Sequence, residues 1–117
     1  MDFRHLALSL PETEEAPHHG SASFRVEGKI FAQLAADEVS ALVKLPFPLQ
    51  DLMIGQYPEG CRREAGRWGD AGWTRLDLSK LPGDVTSDLL AASWQIVAST
   101  KLVRSVDAAS SAFTEQE

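Results

Sequence analysis

Hydrophobic residues recur at helical spacing near both ends of the chain. The first helix is predicted between Asp2, which can cap it, and Pro11, which disfavours helical geometry at the residue before it. The longest helix is predicted over residues 84–100, where a broad arc of the surface is apolar. Ser93 lies on that arc and faces inward, so its hydroxyl needs a backbone partner.

Between these helices, apolar and polar residues alternate in short runs, which is typical of strands. The predicted strands cover residues 22–26, 30–35, 39–45, 61–65 and 73–78. The first two form a hairpin, because Gly28 allows a tight turn between them. A short helix over residues 49–55 is expected to face Leu49, Leu52 and Met53 inward.

This order of elements predicts an α+β fold, a two-layer sandwich in which an antiparallel sheet carries the N- and C-terminal helices on one face. Alternation turns one set of side chains toward the helices: Phe24, Val26, Val43, Leu76 and Leu78. Within the strand over residues 39–45, one face carries Val39, Ala41, Val43 and Leu45. The sheet face away from the helices, called the outer face below, is predicted to carry Arg25, Lys44, Trp73, Arg75 and Asp77.

The segment from Trp68 to Trp73 is the most unusual stretch of the chain. It holds two of the three tryptophans and two of the eight glycines, and an alternating strand pattern follows it. Glycine permits backbone conformations that other residues resist, so the segment predicts a tight connection that leads into the strand. Tryptophan seldom sits where it has nothing to pack on. The segment therefore indicates both architecture and a contact surface.

Charge and cysteine content narrow the functional classes. The 117 residues carry a formal charge of −6, which argues against a general nucleic-acid binder but leaves room for a local basic face. Cys61 is the only cysteine, so no internal disulfide can form. No signal segment opens the chain, and no apolar run approaches the roughly 20 residues that cross a bilayer. We expect a soluble cytoplasmic protein.

The chain has the length and composition of one domain. Residues 1–105 are predicted to form it, and residues 106–117, which are small and polar, are predicted to be a flexible C-terminal tail. Nothing in the strand edges requires pairing between copies, so we expect a monomer.

Five segments carry a family resemblance: residues 8–15, 24–32, 44–45, 69–73 and 93–94. They resemble the MmcQ/YjbR family of small bacterial proteins over roughly residues 8–97. The strongest pieces are the Phe-Arg-Val-x-Gly-Lys-Ile-Phe-Ala hairpin at residues 24–32 and the Gly-Trp pair before the last strand. The resemblance implies a frataxin-like (CyaY-like) fold, with helices on one face of an antiparallel sheet. It also implies DNA binding without a catalytic set.

The candidate binding residues are the cations and tryptophans of the outer face and its rim: Arg25, Lys29, Lys44, Arg67, Trp68, Trp73 and Arg75. Cations on such a face can follow phosphates, and tryptophans can stack on bases. In one alternative, the face is only solvated, and its arginines pair with Glu27, Glu64, Asp70 and Asp77. In another, the same cations serve a protein partner or a small anion, with no nucleic acid involved.

Metal and catalytic chemistry find little support in the chain. His18 and His19 point to opposite faces if both lie on a strand, and no third ligand follows at zinc-like spacing, so a turn or sheet-edge role is favoured. An iron site on the first helix would need several carboxylates, and that helix offers only Asp2. Neighbouring arginines can activate the Cys61 thiol, although a lone strand cysteine is usually a buried apolar residue. We expect no metal, no cofactor and no enzymatic activity.

Overall fold

A computed structural model describes residues 2–115 of the chain, with side chains through residue 108. The helices are α1 (Phe3–Leu8), α2 (Phe47–Gln56), α3 (Arg67–Asp70), α4 (Gly83–Val97) and α5 (Thr100–Glu115), with a 3-10 turn at Leu78–Lys80. The strands are β1 (Thr13–His18), β2 (Ser21–Val26), β3 (Lys29–Leu34), β4 (Ser40–Lys44), β5 (Cys61–Arg63) and β6 (Trp73–Asp77).

The six strands form one antiparallel sheet in the order β1-β2-β3-β4-β6-β5. Helices α1 and α4 pack against each other and on one face of this sheet, called the inner face. Most of the core lies between these layers, and its largest fully buried apolar side chains are Phe24, Phe31, Leu34, Leu45, Leu76, Leu89 and Leu90. The predicted α+β sandwich is confirmed.

Strand β1 is absent from the five strands that the sequence predicts. Its residues, Thr-Glu-Glu-Ala-Pro-His, are polar and lack alternation, yet they pair with β2 along their full length. Such a composition is typical of an edge strand, because charges and proline discourage pairing with another chain. Glu15 also forms an ion pair with Arg4 of α1 at 3.1 Å, which ties the strand to the helical layer.

Two inward-facing predictions are wrong at single positions. In α2, Met53 is buried, but Leu52 is 52% exposed, and the polar Gln50 is fully buried instead. Val39 is 42% exposed, because it precedes the first residue of β4, whereas Ala41, Val43 and Leu45 are buried as predicted.

The predicted helix over residues 84–100 corresponds to α4, and a further helix, α5, follows it from Thr100. Helix α4 ends at Val97, and the Ser99 hydroxyl accepts a hydrogen bond from the Leu102 N–H, which caps the start of α5. Helix α5 continues to Glu115, so most of the predicted tail is helical in the structure. Its last two residues, 116 and 117, lie outside the described residues, and the flexibility of the tail stays a prediction.

Ser93 of α4 joins the helical layer to an irregular point in the sheet. The β2–β3 register shifts between Phe24 and Arg25, which leaves Phe31 of β3 without a partner residue in β2. The Ser93 hydroxyl donates to the carbonyl oxygen of Phe31 and accepts from the Lys44 N–H at 3.0 Å. The predicted backbone partner of this serine is therefore confirmed.

Candidate binding site on the outer sheet face

The strand register defines the outer face. One row of directly paired residues crosses all six strands, in the order Ala16, Ser23, Gln33, Leu42, Arg75 and Arg62. Directly paired residues point to the same side of a sheet. Arg25, Lys44, Trp73 and Asp77 are two residues from members of this row on their own strands, so they face the same way, as predicted.

Arg25 and Lys44 have no carboxylate within ion-pair distance among residues 2–108. Arg25 lies opposite Glu14 in the register, but its guanidinium Nε donates instead to the Ser23 hydroxyl at 3.1 Å. Lys44 lies opposite Trp73. Both cations are half-buried, so their aliphatic stems pack on the sheet while their charges remain available.

Arg75, in contrast, is neutralised by Glu64. The guanidinium donates to both carboxylate oxygens of Glu64, with Nε at 3.2 Å from one of them. These hydrogen bonds hold the pKa of Glu64 below its ordinary value of 4.5. Arg63 pairs in the same way with Asp70 at 2.7 Å. The solvated-face alternative thus accounts for Arg75, whereas Arg63 lies opposite Thr74 in the register and points to the other side of the sheet.

The other two predicted counter-ions have different partners. Glu27 accepts from the N–H and the hydroxyl of Ser99, at 2.6 and 2.8 Å. Asp77 caps the 3-10 turn by accepting from the N–H of Ser79 at 3.0 Å. Neither carboxylate forms an ion pair with a cation of the outer face within the described chain.

The two outer tryptophans differ strongly in exposure. Trp73 of β6 is 9% exposed, whereas Trp68 of α3 is 62% exposed. They line a cleft of about 180 Å³ together with His18, Gln33, Leu42 and Glu64. The stacking role predicted for Trp73 is therefore restricted to the part of its ring that faces this cleft, while Trp68 presents most of its surface.

Close backbone packing holds the connection that carries Trp68. Gly72 has a φ of +103°, and a Cβ there would overlap the carbonyl oxygen of Leu45. Its own carbonyl oxygen accepts from the Leu45 N–H at 2.9 Å. At Gly69 a Cβ would overlap the Glu64 carbonyl oxygen. The predicted tight connection is confirmed, and it requires glycine at both positions.

The predicted site residues do not form one compact cluster. One group comes from α3, β4 and β6, near one end of the sheet: Arg67, Trp68, Lys44, Trp73 and Arg75. Arg25 lies on β2, which β3 separates from β4, a spacing of about 10 Å. Lys29 is exposed where the β2–β3 turn enters β3.

Comparisons with known proteins identify the family. The family model described as YjbR matches residues 8–96. The chain belongs to the YjbR family. No curated protein matches this YjbR-family chain. Its fold is similar to the crystal structure of Deinococcus radiodurans protein DR2400, described as a DUF419 domain, with a TM-score of 0.71. The sequences are 17% identical, and the similarity covers 84% of this chain and 77% of that one.

Four cleft residues of this YjbR-family protein are absent from the predicted binding residues, and one of them, Glu64, was named only as a counter-ion. Gln33, Leu42 and His18 come from β3, β4 and β1 and meet only through the sheet register. Alternation does place Leu42 on the polar side of its strand. An apolar residue at such an outward position was the sequence signal that could have identified it. The position of His18 could not be predicted, because it depends on strand β1, whose composition is not typical of a strand.

Metal, thiol and membrane chemistry gain no support from the described part of the chain. Residues 2–108 contain no group of three metal-ligating side chains in the arrangement that an ion needs. The His18 and His19 rings contact each other edge to face, with centroids 4.5 Å apart, because His19 lies in a turn beyond β1. Burial raises the pKa of the Cys61 thiol, which disfavours the reactive thiolate. None of the described helices is both long and apolar enough to span a bilayer.

Proposed function

We propose that this YjbR-family protein is a non-enzymatic module that binds nucleic acid weakly through its outer sheet face. The observation that carries the proposal is the pair of half-buried cations, Arg25 and Lys44, which have no ion-pair partner within residues 2–108. An unpaired cation on a sheet contributes favourably when a phosphate approaches, because the counterions of the phosphate are released into solution.

Trp68 and Arg67 extend this basic surface at the rim. Trp68 is 62% exposed, and Arg67 precedes it in α3 and is also exposed. An exposed indole beside a cation is the combination that stacks on bases while the backbone is held. The net charge of −6 opposes long-range attraction of a polyanion, so we expect a dissociation constant of about 10⁻⁴ to 10⁻⁶ M at physiological salt.

An amide NMR titration with a duplex of about 16 base pairs tests the proposal, first at low salt and then at physiological salt. We expect shifts centred on Arg25, Lys44 and Trp73 that weaken as salt rises. The Arg25→Ala/Lys44→Ala variant should bind about tenfold more weakly, and its slope of log affinity against log salt should fall by about 1.8.

The matched control is Lys101→Ala/Arg104→Ala. It changes the net charge by the same amount, but both residues are exposed on α5, away from the outer face. Equal weakening by the two double variants would show that only net charge matters. Absence of shifts at low salt would overturn nucleic-acid binding.

A second candidate function is a protein-interaction or small-anion-binding module without a nucleic-acid role. The aromatic cleft beside Trp68 favours it, because tryptophan and arginine dominate the energetic centres of protein interfaces. Nucleic-acid affinity should grow with oligonucleotide length, whereas occupancy of a discrete pocket should not.

We also assign the protein to the cytoplasm as a monomer. The lone, buried Cys61 supports a reducing compartment. Pro17 and the glutamates of edge strand β1 support the monomer, because they disfavour strand pairing between copies. Light scattering of the purified chain measures the oligomeric state, and a dimer mass would overturn this assignment.

A further inference from the structure

The cleft between Trp68 and Trp73 has the size of a site for one ring system. Its volume of about 180 Å³ is below the roughly 300 Å³ at which sites for drug-sized ligands begin. It corresponds to about six waters, at about 30 Å³ each in the liquid. A volume of this size is sufficient for a planar heterocycle.

The two tryptophans give this cleft one largely buried and one largely exposed aromatic surface. Trp73 is held on β6, 9% exposed, and the backbone contacts of Gly69 and Gly72 fix the α3 connection that carries Trp68. Among the described residues, the aromatic rings in contact are Phe3 with Phe24 and His18 with His19. The indole rings of Trp68 and Trp73 therefore do not stack on each other.

Polar groups in the cleft also lack partners. The half-buried side chains of Gln33 and His18 line it, and neither is hydrogen-bonded to another side chain or to backbone within residues 2–108. A glutamine amide offers a donor and an acceptor side by side, which matches the edge of a base such as adenine. The face of a base is available for stacking on an indole only when the base is out of the duplex stack.

Each tryptophan has a cation as a neighbouring residue. Lys44 is the cross-strand neighbour of Trp73, and Arg67 is the chain neighbour of Trp68. Phosphates on either side of an inserted base can therefore meet a positive charge. A cationic ligand is disfavoured, since the carboxylate of Glu64 is already engaged by Arg75.

We propose that this cleft accepts a single unpaired base of a bound strand, stacked on Trp68 and Trp73, with its edge at Gln33. The inference rests on the proposed function and makes it more specific: the preferred ligand is single-stranded, and the base contributes affinity beyond the phosphates. Stacking of one base contributes roughly 5- to 150-fold in affinity.

The experiment compares two fluorescently labelled strands by anisotropy at low salt. One is a 12-nucleotide oligodeoxyadenylate, and the other is an abasic strand with the same number of phosphates. We expect the wild type to bind the adenine strand at least about fivefold more tightly. Trp68→Ala should remove that preference and leave abasic binding unchanged, and Gln33→Ala should reduce it.

Phe47→Ala is the matched control, because Phe47 is a 56% exposed aromatic residue on α2 that does not line the cleft. It should keep the full preference for the adenine strand. Thermal unfolding of Trp68→Ala should match the wild type, which separates loss of the site from loss of the fold.

The outcomes separate the two proposals. Equal binding of both strands, with the salt dependence intact, overturns the base site and leaves the proposed function standing. If neither strand binds and the duplex titration at low salt shows no shifts either, the proposed function fails. In that case, a titration with free adenosine, read from the indole N–H resonance of Trp68, tests whether the cleft binds a base. A shift supports a base site for free nucleosides, and no shift overturns it.

Discussion

Polar side chains on the two faces of the sheet differ in how far the fold itself supplies their hydrogen-bond and ion-pair partners. On the inner side of the sheet, the buried polar side chains all have hydrogen-bond partners within the described residues: Gln50, Thr74, Thr86 and Ser93. Gln50 of α2 alone contacts the carbonyl oxygens of Gly69 and Trp73 at 3.2 Å and the Thr74 hydroxyl at 3.1 Å. On the outer face, the charges of Arg25 and Lys44 have no carboxylate partner, and the cleft amide of Gln33 has no hydrogen-bond partner, within residues 2–108.

The difference separates residues that maintain the fold from residues that are available to a ligand. A buried polar group without a partner costs about 1–3 kcal/mol, so the inner face cannot tolerate one easily. Water satisfies the groups of the outer face at no such cost. Polarity alone therefore says little about function. Partnership within the fold separates Arg25, Lys44 and Gln33, which are available to a ligand, from polar groups such as Arg75 that the fold already engages.

The largest expected effect comes from the connection that both faces share. Gly72→Ala would place a Cβ against the Leu45 carbonyl oxygen at a φ of +103°. Strain and overlap together should cost about 2–4 kcal/mol of unfolding free energy, measured by urea denaturation. The variant should also lose binding on the outer face, because the same connection positions Trp68.

Gly55→Ala is the control for that change. Gly55 lies inside α2 and is exposed, and a Cβ at this position would meet no atom within 4 Å outside the backbone of its own helix. It should gain about 0.5–1 kcal/mol, as alanine favours helix over glycine. Similar stability changes in the two variants would contradict the strained geometry at Gly72.

An intermediate effect is expected at the neutralised arginine of the outer face. Glu64→Gln removes the carboxylate that occupies Arg75, so Arg75 should become available to phosphate. Nucleic-acid affinity should rise several-fold at low salt, and the salt slope should steepen by about 0.9. Stability should change by less than about 1 kcal/mol, since the pair is partly exposed.

Asp88→Asn makes the same change of charge on the exposed side of α4. If it increases affinity as much as Glu64→Gln does, the effect is one of net charge, and Arg75 has no special place in binding. Weaker binding by Glu64→Gln alone would instead show that the cleft needs the carboxylate.

The elements that sequence patterns predict well are those whose side chains alternate between core and solvent. The β2–β3 hairpin and β6 have such patterns, and Gly28 and Gly72 mark the turns beside them. Strand β1 was not predicted, because its stability comes from pairing with β2 and from the Arg4–Glu15 contact, not from apolar alternation.

The candidate site was predicted only in part for a related reason. Alternation finds which residues face outward, and it found Arg25, Lys44, Trp73 and Arg75. It does not reveal which of them other parts of the chain neutralise, as Glu64 neutralises Arg75. It also does not reveal that Gln33 and His18 line the same cleft, because their proximity depends on the register of the whole sheet.

The smallest expected effect concerns a turn that joins the sheet to α5. Hydrogen bonds from the N–H and hydroxyl of Ser99 hold the pKa of Glu27 below its ordinary value of 4.5. A carboxyl group with a lowered pKa stabilises the folded state fully above its unfolded pKa and loses that contribution as pH falls through the folded pKa. Glu27→Gln should therefore be slightly less stable than the wild type near pH 7, with the difference vanishing in acid.

Hydrogen exchange of the Ser99 and Leu102 amides measures this contact directly. At pH 7, Glu27→Gln should exchange faster at both amides, while Glu59→Gln, in an exposed loop, should not. Because Glu27 lies in the turn between β2 and β3, loosening it should leave the Trp68 cleft and its ligands unaffected. A parallel loss of outer-face binding would show that α5 and the outer face are coupled, and the separation between the two faces would then be incomplete.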